Sequence, residues 1–310
     1  MAHSFSLPAT TQSHKMNKAL KALILLFAVT FIACDTLLPD DELHAPENTN
    51  ANTNCASEAM RIEIPRLKDE DVFFPRYTHG NSGDTLTYCV AHNKERRHSR
   101  WIAFRFDKSN RHIGWKRDNW KTEGGEPYRT DPELNDSDVL NSNLIWNNGF
   151  QRGHLLASHD RIYSKEANRQ TFYFSNISPM RKEFNSSSPW NNLESHINAT
   201  SGGIGRKPDF ADTLYIAKGG TIEPGYYKQV GSCPTVPNYY FMALLKVKNG
   251  AYYSIAFLLP HEGGSGGHFS NYAITVDELE EFTGIDFFCN LNDKLEEAVE
   301  KQYNKTAWGL

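Results

Sequence analysis

No apolar run in this 310-residue chain is long enough to cross a bilayer, a task that takes about 20 consecutive residues in a helix. The five cysteines include no close Cys-x-x-Cys pair, so the common zinc frameworks are excluded. There is no internal repeat, which argues against a solenoid or propeller. The formal net charge of −4 denies the chain the overall positive balance of a general polyanion binder. Large apolar side chains are also scarce between residues 35 and 56, so that tract has little to bury and reads as a flexible tether.

What is present begins with an address. Lys15, Lys18 and Lys21 precede an uncharged run over residues 22–33, the length of the apolar part of a secretory signal. The run ends Phe31-Ile-Ala-Cys34 and resembles the lipobox of bacterial lipoproteins, although Phe31 departs from the usual small aliphatic residue. Asp35, Asp40, Asp41 and Glu42 resemble the surface-export signal of some Gram-negative lipoproteins. Met16 is an alternative start. The expected organisation is a signal peptide over 1–33, a tether over 34–60 lipidated on Cys34, and one domain of α+β type over 61–310. An outer membrane or cell surface is the expected location. Cys55, Cys89, Cys233 and Cys289 remain in the exported part, and disulfides are expected among them without a choice of pairing.

Charge is unevenly distributed. Residues 92–121 carry ten Lys or Arg against three acids, a local +7, while acids gather in the tether and near the C-terminus. Such a patch can meet a phosphate backbone, or it can be a solvated charged loop around one strand. Residues 101–106 read as that strand, and 112–141 as loop. Short strands are expected at 152–158 and 171–178, then a helix from Pro189 with Ser188 as its cap. Strands follow at 213–217, 239–247 and 252–259, the last two joined by a turn at Asn249-Gly250. A helix over 275–282 opens with the capping box Thr275-Val-Asp-Glu278, and another spans 292–302.

The chemistry lies between these elements. Residues 149–158 read Gly-Phe-Gln-Arg-Gly-His-Leu-Leu-Ala-Ser, followed by Thr171-Phe-Tyr-Phe-Ser-Asn-Ile-Ser-Pro179, then Asn185, then Trp190-Asn-Asn-Leu-Glu194. Cutting a phosphodiester requires a base for water, positive charge on the non-bridging oxygens and support for the leaving oxyanion. His154 suits the first task near neutral pH. Arg152 offers a planar fork of donors to phosphate, and Gly153 is expected to leave room for it. Asn185 supplies a hard amide oxygen for Mg²⁺, which keeps most of its own waters, and Glu194 can orient those waters. Singly, each residue reads as an ordinary surface, turn or ion-pair residue. Their joint order carries the argument.

This stretch resembles the DNA/RNA non-specific endonucleases, sugar-non-specific nucleases of the ββα-metal (His-Me finger) type, whose motif runs Asp-Arg-Gly-His, a Ser-Asn-Ile-Thr/Ser-Pro strand, Asn, then Trp and Leu-Glu on a helix. Similarity extends over residues 77–291. The resemblance implies a ββα-metal core with an antiparallel or mixed sheet flanked by helices, His154 as general base, Asn185 as Mg²⁺ ligand with Mn²⁺ as a substitute, and Glu194 acting on water. It also implies Arg152 and Asn176 as positioning residues, Arg117 or Arg129 as a phosphate contact, DNA and RNA as substrates, and 5′-phosphate products. The chain departs from the pattern at Gln151, where the family has Asp, at Asn198, where it often has Arg, and by one extra residue before Trp190. Two rival readings are a nuclease-like lipoprotein that binds nucleic acid without cutting it, and a phosphodiesterase acting on other esters. An inhibitor partner and the oligomeric state are not legible in the sequence.

Overall fold

The computed structural model describes residues 48–80, 83–262 and 268–310; the signal and Cys34 lie outside them. Eleven strands occur among the described residues: β1 Val72–Gly80, β2 Gly83–Asn93, β3 His98–Phe106, β4 Gln151–His154, β5 Ile177–Met180, β6 Thr213–Gly220, β7 Tyr227–Val230, β8 Cys233–Pro237, β9 Tyr239–Lys248, β10 Ala251–Pro260 and β11 Ala273–Ile274. The helices are α1 Ser142–Trp146, α2 Lys165–Gln170, α3 Lys182–Ser186, α4 Trp190–Asn198, α5 Val276–Thr283 and α6 Asp293–Glu300. Seven strands form one antiparallel sheet in the order β1-β2-β3-β6-β9-β10-β11. The β9–β10 hairpin turns at Asn249 and Gly250, both at positive φ (51° and 80°), as a two-residue turn matched to strand twist requires.

Both faces of this sheet are covered, and residue parity sorts them. Ile102, Phe104 and Phe106 of β3, Leu214 and Ile216 of β6, and Tyr240, Met242 and Leu244 of β9 pack in one apolar layer with Trp190, Leu193 and Ile197 of α4. Their neighbours Trp101, Ala103, Ala217, Phe241, Ala243 and Leu245 pack in the opposite layer with Val276 and Leu279 of α5 and Leu295 and Val299 of α6. A period of two that is apolar at every position is what burial on both faces produces. Trp190, fully buried, lies 5.7 Å from Phe184 and 5.6 Å from Tyr240 between ring centroids. It pins α4 to the sheet.

Four expectations need correction. All four cysteines of the described residues are free: Cys55 is exposed, Cys89 is buried on β2, Cys233 lies in a separate cluster with Leu140 and Phe150, and Cys289 approaches Ile64 O. The tether ends earlier than residue 60. Asn52 is buried and donates to Ala59 O and Pro65 O, while Asn50 donates to Glu296 and Asp286, so the segment from residue 48 is a strap along the C-terminal region. The strand expected from residue 171 begins only at Ile177, because residues 171–176 turn and the Asn176 side chain takes over backbone pairing. Pro189 rather than Ser188 occupies the cap position of α4.

Candidate active site

β4 and β5 form a separate antiparallel ribbon, with Arg152 opposite Pro179 and His154 opposite Ile177. Alternation along β4 sends Arg152 and His154 to one side and Gly153 to the other. Gly153 is therefore not a space for phosphate, as its sequence context suggests: a Cβ there would stand 2.2 Å from Met180 Sδ, so its smallness serves packing. Gly153→Ala is expected to lower stability by about 1–3 kcal/mol through overpacking; an unchanged denaturation midpoint would refute this. Asn176 is completely buried and brackets Leu156, accepting from its N–H at 2.8 Å and donating to its carbonyl at 2.9 Å. A third bond runs to Thr171 O at 2.7 Å. Asn176 thus positions the ribbon's exit and does not touch the cleft.

α4 completes the ββα unit and faces a cleft of about 570 Å³ lined by Arg117, Arg152, His154, Asn185, Glu194 and Asn198 among others. His154 is 7% exposed and meets Phe172 edge-on at 5.1 Å. Nε2 is buried without a hydrogen-bond partner. Burial, with Arg117 and Arg152 nearby, holds its pKa well below the usual histidine value, so the ring is neutral near pH 7. The Arg152 guanidinium stacks 3.9 Å above Tyr128 and 5.3 Å from Trp146. It has no carboxylate partner among the described residues, which removes the ordinary ion-pair reading with Glu194. Its charge is available to an anion.

Asn185 Nδ2 donates to Gln151 Oε1 at 2.9 Å, and Ser186 Oγ bonds the same oxygen at 2.9 Å. This fixes the amide so that Oδ1 is the free acceptor. Gln151, the departure from the family Asp, therefore positions Asn185. Glu194 is largely buried, its Oε1 has no hydrogen-bond partner, and burial raises its pKa to about 8 despite Lys218. A fixed hard oxygen from Asn185 and the Glu194 carboxylate, both lining the cleft, fit a hydrated divalent ion.

Two residues escaped the sequence reading. Lys218 on β6 and Asp160 are both fully buried and paired at 2.8 Å, with Lys218 Nζ 3.6 Å from Glu194 Oε1. Asp160 also accepts from Ala157 N at 2.9 Å and Asn198 Nδ2 at 3.0 Å. Asn198, where the family often has Arg, thus serves Asp160, and the cation beside Glu194 comes from the sheet. The signal was available: Lys218 continues the buried series Leu214, Ile216, and a lysine in a core position demands a partner.

Arg117 and Arg129 separate clearly. Arg117 lines the cleft, bonded through Nε to Glu126 Oε1 at 2.7 Å, whereas Arg129 donates to Tyr173 Oη at 2.8 Å, outside that lining. Most of the basic stretch around them is already neutralised. Arg100 is buried among Glu70, Asp71 and Glu223, and Lys94, Arg96, Arg105 and Lys121 each pair with an acid. The charged-loop reading accounts for these residues, and only Arg117 of this stretch reaches the cleft.

The model of the DNA/RNA non-specific endonuclease family matches residues 71–294, and the chain belongs to that family. It is 26% identical over 232 residues to a nuclease of Serratia marcescens, covering 69% of this chain and 77% of that one. A Nostoc nuclease is 24% identical over 225 residues, covering 69% and 76%. The mitochondrial endonuclease G of Caenorhabditis elegans is 29% identical over 151 residues, with 47% of this chain and 49% of that one aligned. A chain of the EndoG/EndoGI complex superposes with a TM-score of 0.56 at 17% identity, covering 67% of this chain and 85% of that chain. The protein is accordingly an endonuclease with the α+β fold of the ββα-metal nucleases.

Proposed function

We propose that this protein is a Mg²⁺-dependent endonuclease that cuts DNA and RNA with little preference for base or sugar, outside the cytoplasm. The observation that carries the reading is one cleft holding a buried neutral histidine, an unpaired arginine and two oxygens suited to a hydrated ion. Asn185 Oδ1 and the waters oriented by Glu194 would hold the ion, which when bound supplies positive charge to the scissile phosphate and the leaving oxygen. His154 takes the proton from the attacking water. Arg152, held flat by Tyr128 and Trp146, neutralises a non-bridging oxygen, with Arg117 on the adjoining wall. These groups engage phosphate, which carries no base identity, and the products carry 5′-phosphates. The departures that favour a non-cutting relative do not empty this site, since Gln151 fixes Asn185 and Asn198 supports Asp160.

Plasmid DNA and RNA, incubated with the purified protein in Mg²⁺ and in EDTA, test the reading. Cleavage of both polymers in Mg²⁺ alone supports it; binding without cleavage sinks it, and so does a preference for small esters. Gln151→Ala frees the Asn185 amide and is expected to raise the Mg²⁺ concentration for half-maximal activity about 10-fold or more. An unchanged metal dependence would show that Asn185 needs no such hold. Export with a lipid on Cys34 follows from the N-terminal pattern, and no helix of the described residues is long and apolar enough to cross a membrane. Cell fractionation of wild type and Cys34→Ser tests it, wild-type protein in the cytoplasm being the adverse result. The EndoG/EndoGI complex makes an inhibitor protein a reasonable partner to seek by co-purification.

A further inference from the structure

The acids that crowd the C-terminal part of the chain converge on the face of the sheet opposite the cleft. Asp277 and Glu280 of α5 and Glu300 of α6 each offer a carboxylate oxygen, and these oxygens all lie within 4.8 Å of one another. Asp286 and Glu296 stand beside them, joined through Asn50 Nδ2 at 3.1 and 2.7 Å. Among the described residues none of these five carboxylates forms an ion pair; neighbouring Lys301 pairs with Glu297, and Asp293 holds Thr49. Glu280 Oε1 accepts from Phe287 N at 2.7 Å. Glu300 is 4% exposed, and its Oε1 is buried with no partner at all.

Crowded carboxylates without a counter-charge hold either shared protons or a cation. The buried Glu300 Oε1 has no hydrogen-bond partner, which favours the cation. The three oxygens are no more than 4.8 Å apart, so a central ion would lie at most about 2.8 Å from each, close to the Ca²⁺–oxygen range of about 2.3–2.6 Å. Asp277 is only partly buried, which leaves a side open for water ligands. Burial raises the carboxyl groups of Asp277, Glu280, Asp286, Glu296 and Glu300 above the ordinary range, and repulsion from neighbouring acids adds to this at all of them but Asp286.

We propose that Asp277, Glu280 and Glu300 form a structural calcium site that ties α5 to α6, separate from the catalytic cleft and independent of the nuclease reaction. The test is thermal denaturation of the purified protein, stripped with EDTA and returned to Ca²⁺ alone, for wild type, Glu300→Gln and Asn185→Ala. Wild type is expected to melt about 5–10 °C higher at a hundredfold excess over its dissociation constant. The rise should be larger at pH 8 than at pH 6, because ligands must lose their protons. Glu300→Gln should lose the rise, yet melt no lower than wild type in EDTA, since a buried carboxyl held above its usual pKa is replaced by a neutral group of the same shape; this separates loss of the ion from loss of the fold. Asn185→Ala should keep the rise. No Ca²⁺ effect on wild type, a rise that survives Glu300→Gln, or one lost in Asn185→Ala would each overturn the proposal.

Discussion

Replacing His154 by alanine is expected to lower cleavage of DNA and RNA alike by about 1,000-fold or more, the scale of a general base, while the fold persists. The ring fills a buried slot against Phe172 and Tyr128, so some loss of stability is expected from its packing. None is expected from its hydrogen bonds, because the buried Nε2 makes none. Since His154 is held well below the usual histidine pKa, it is already neutral through the physiological range and does not set an acid limb near pH 6. A wild-type rate that fell steeply below pH 6.5 through protonation of His154 would contradict the burial argument. Circular dichroism and denaturation of the variant, run beside the rate measurement, distinguish a lost base from a lost fold. Wild-type rates in a folded His154→Ala protein would remove the residue from the mechanism.

Lys218→Met is the second large effect, and it strikes stability and rate together. Removing Lys218 leaves Asp160 fully buried with Ala157 N and Asn198 Nδ2 as donors but without a cation, and breaking a buried pair from one side costs about 3–5 kcal/mol. Glu194, held near pKa 8 by burial against the opposing pull of Lys218, then rises further. The sign follows from proton counts. A carboxyl whose folded pKa exceeds its unfolded value retains protons on folding, so it destabilises the fold increasingly as pH climbs from the unfolded to the folded pKa. The variant should therefore lose more stability at pH 8 than at pH 5, and its rate profile should move to higher pH. Denaturant unfolding at both pH values and a pH–rate profile check this. A methionine variant as stable as wild type with an unmoved profile would make Lys218 an ordinary core residue.

Four residues that line the cleft, Arg152, His154, Asn185 and Glu194, were legible because they fall within one stretch whose order is informative where its single members are not. The strands over residues 101–106, 239–247 and 252–259 were legible for another reason: apolar residues at every position, bounded by a turn whose Asn-Gly chemistry is specific. The β1–β2 hairpin carries mixed polar residues, from Arg76 to His92, and its pattern alone does not mark it as strands. Asp160 and Lys218 are 58 residues apart in sequence and meet only through tertiary packing, so local pattern does not pair them. The packing role of Gly153 depends on Met180 of the paired strand β5, two residues beyond the strand expected over 171–178, so the sequence does not show it. Arg117 was separated from Arg129 only by the path of the loop, which composition does not encode. The cysteines show the reverse failure, where an oxidising destination suggested bridges that the packing keeps apart.

Side-chain parity on β6 gives the enzyme a ruler with a spacing of one residue. Leu214, Ile216 and Lys218 face the layer of α4 and Asp160, while Ala217 belongs to the layer of α5 and α6. A single inserted residue before Lys218 would slide the pattern by one position and exchange the two faces. The ammonium group would then enter the rear apolar layer, and Asp160 would confront an alanine or glycine. Insertions of this kind cannot trade a little stability for a little activity, because one slip removes the charge behind Glu194 and spoils the core that carries it.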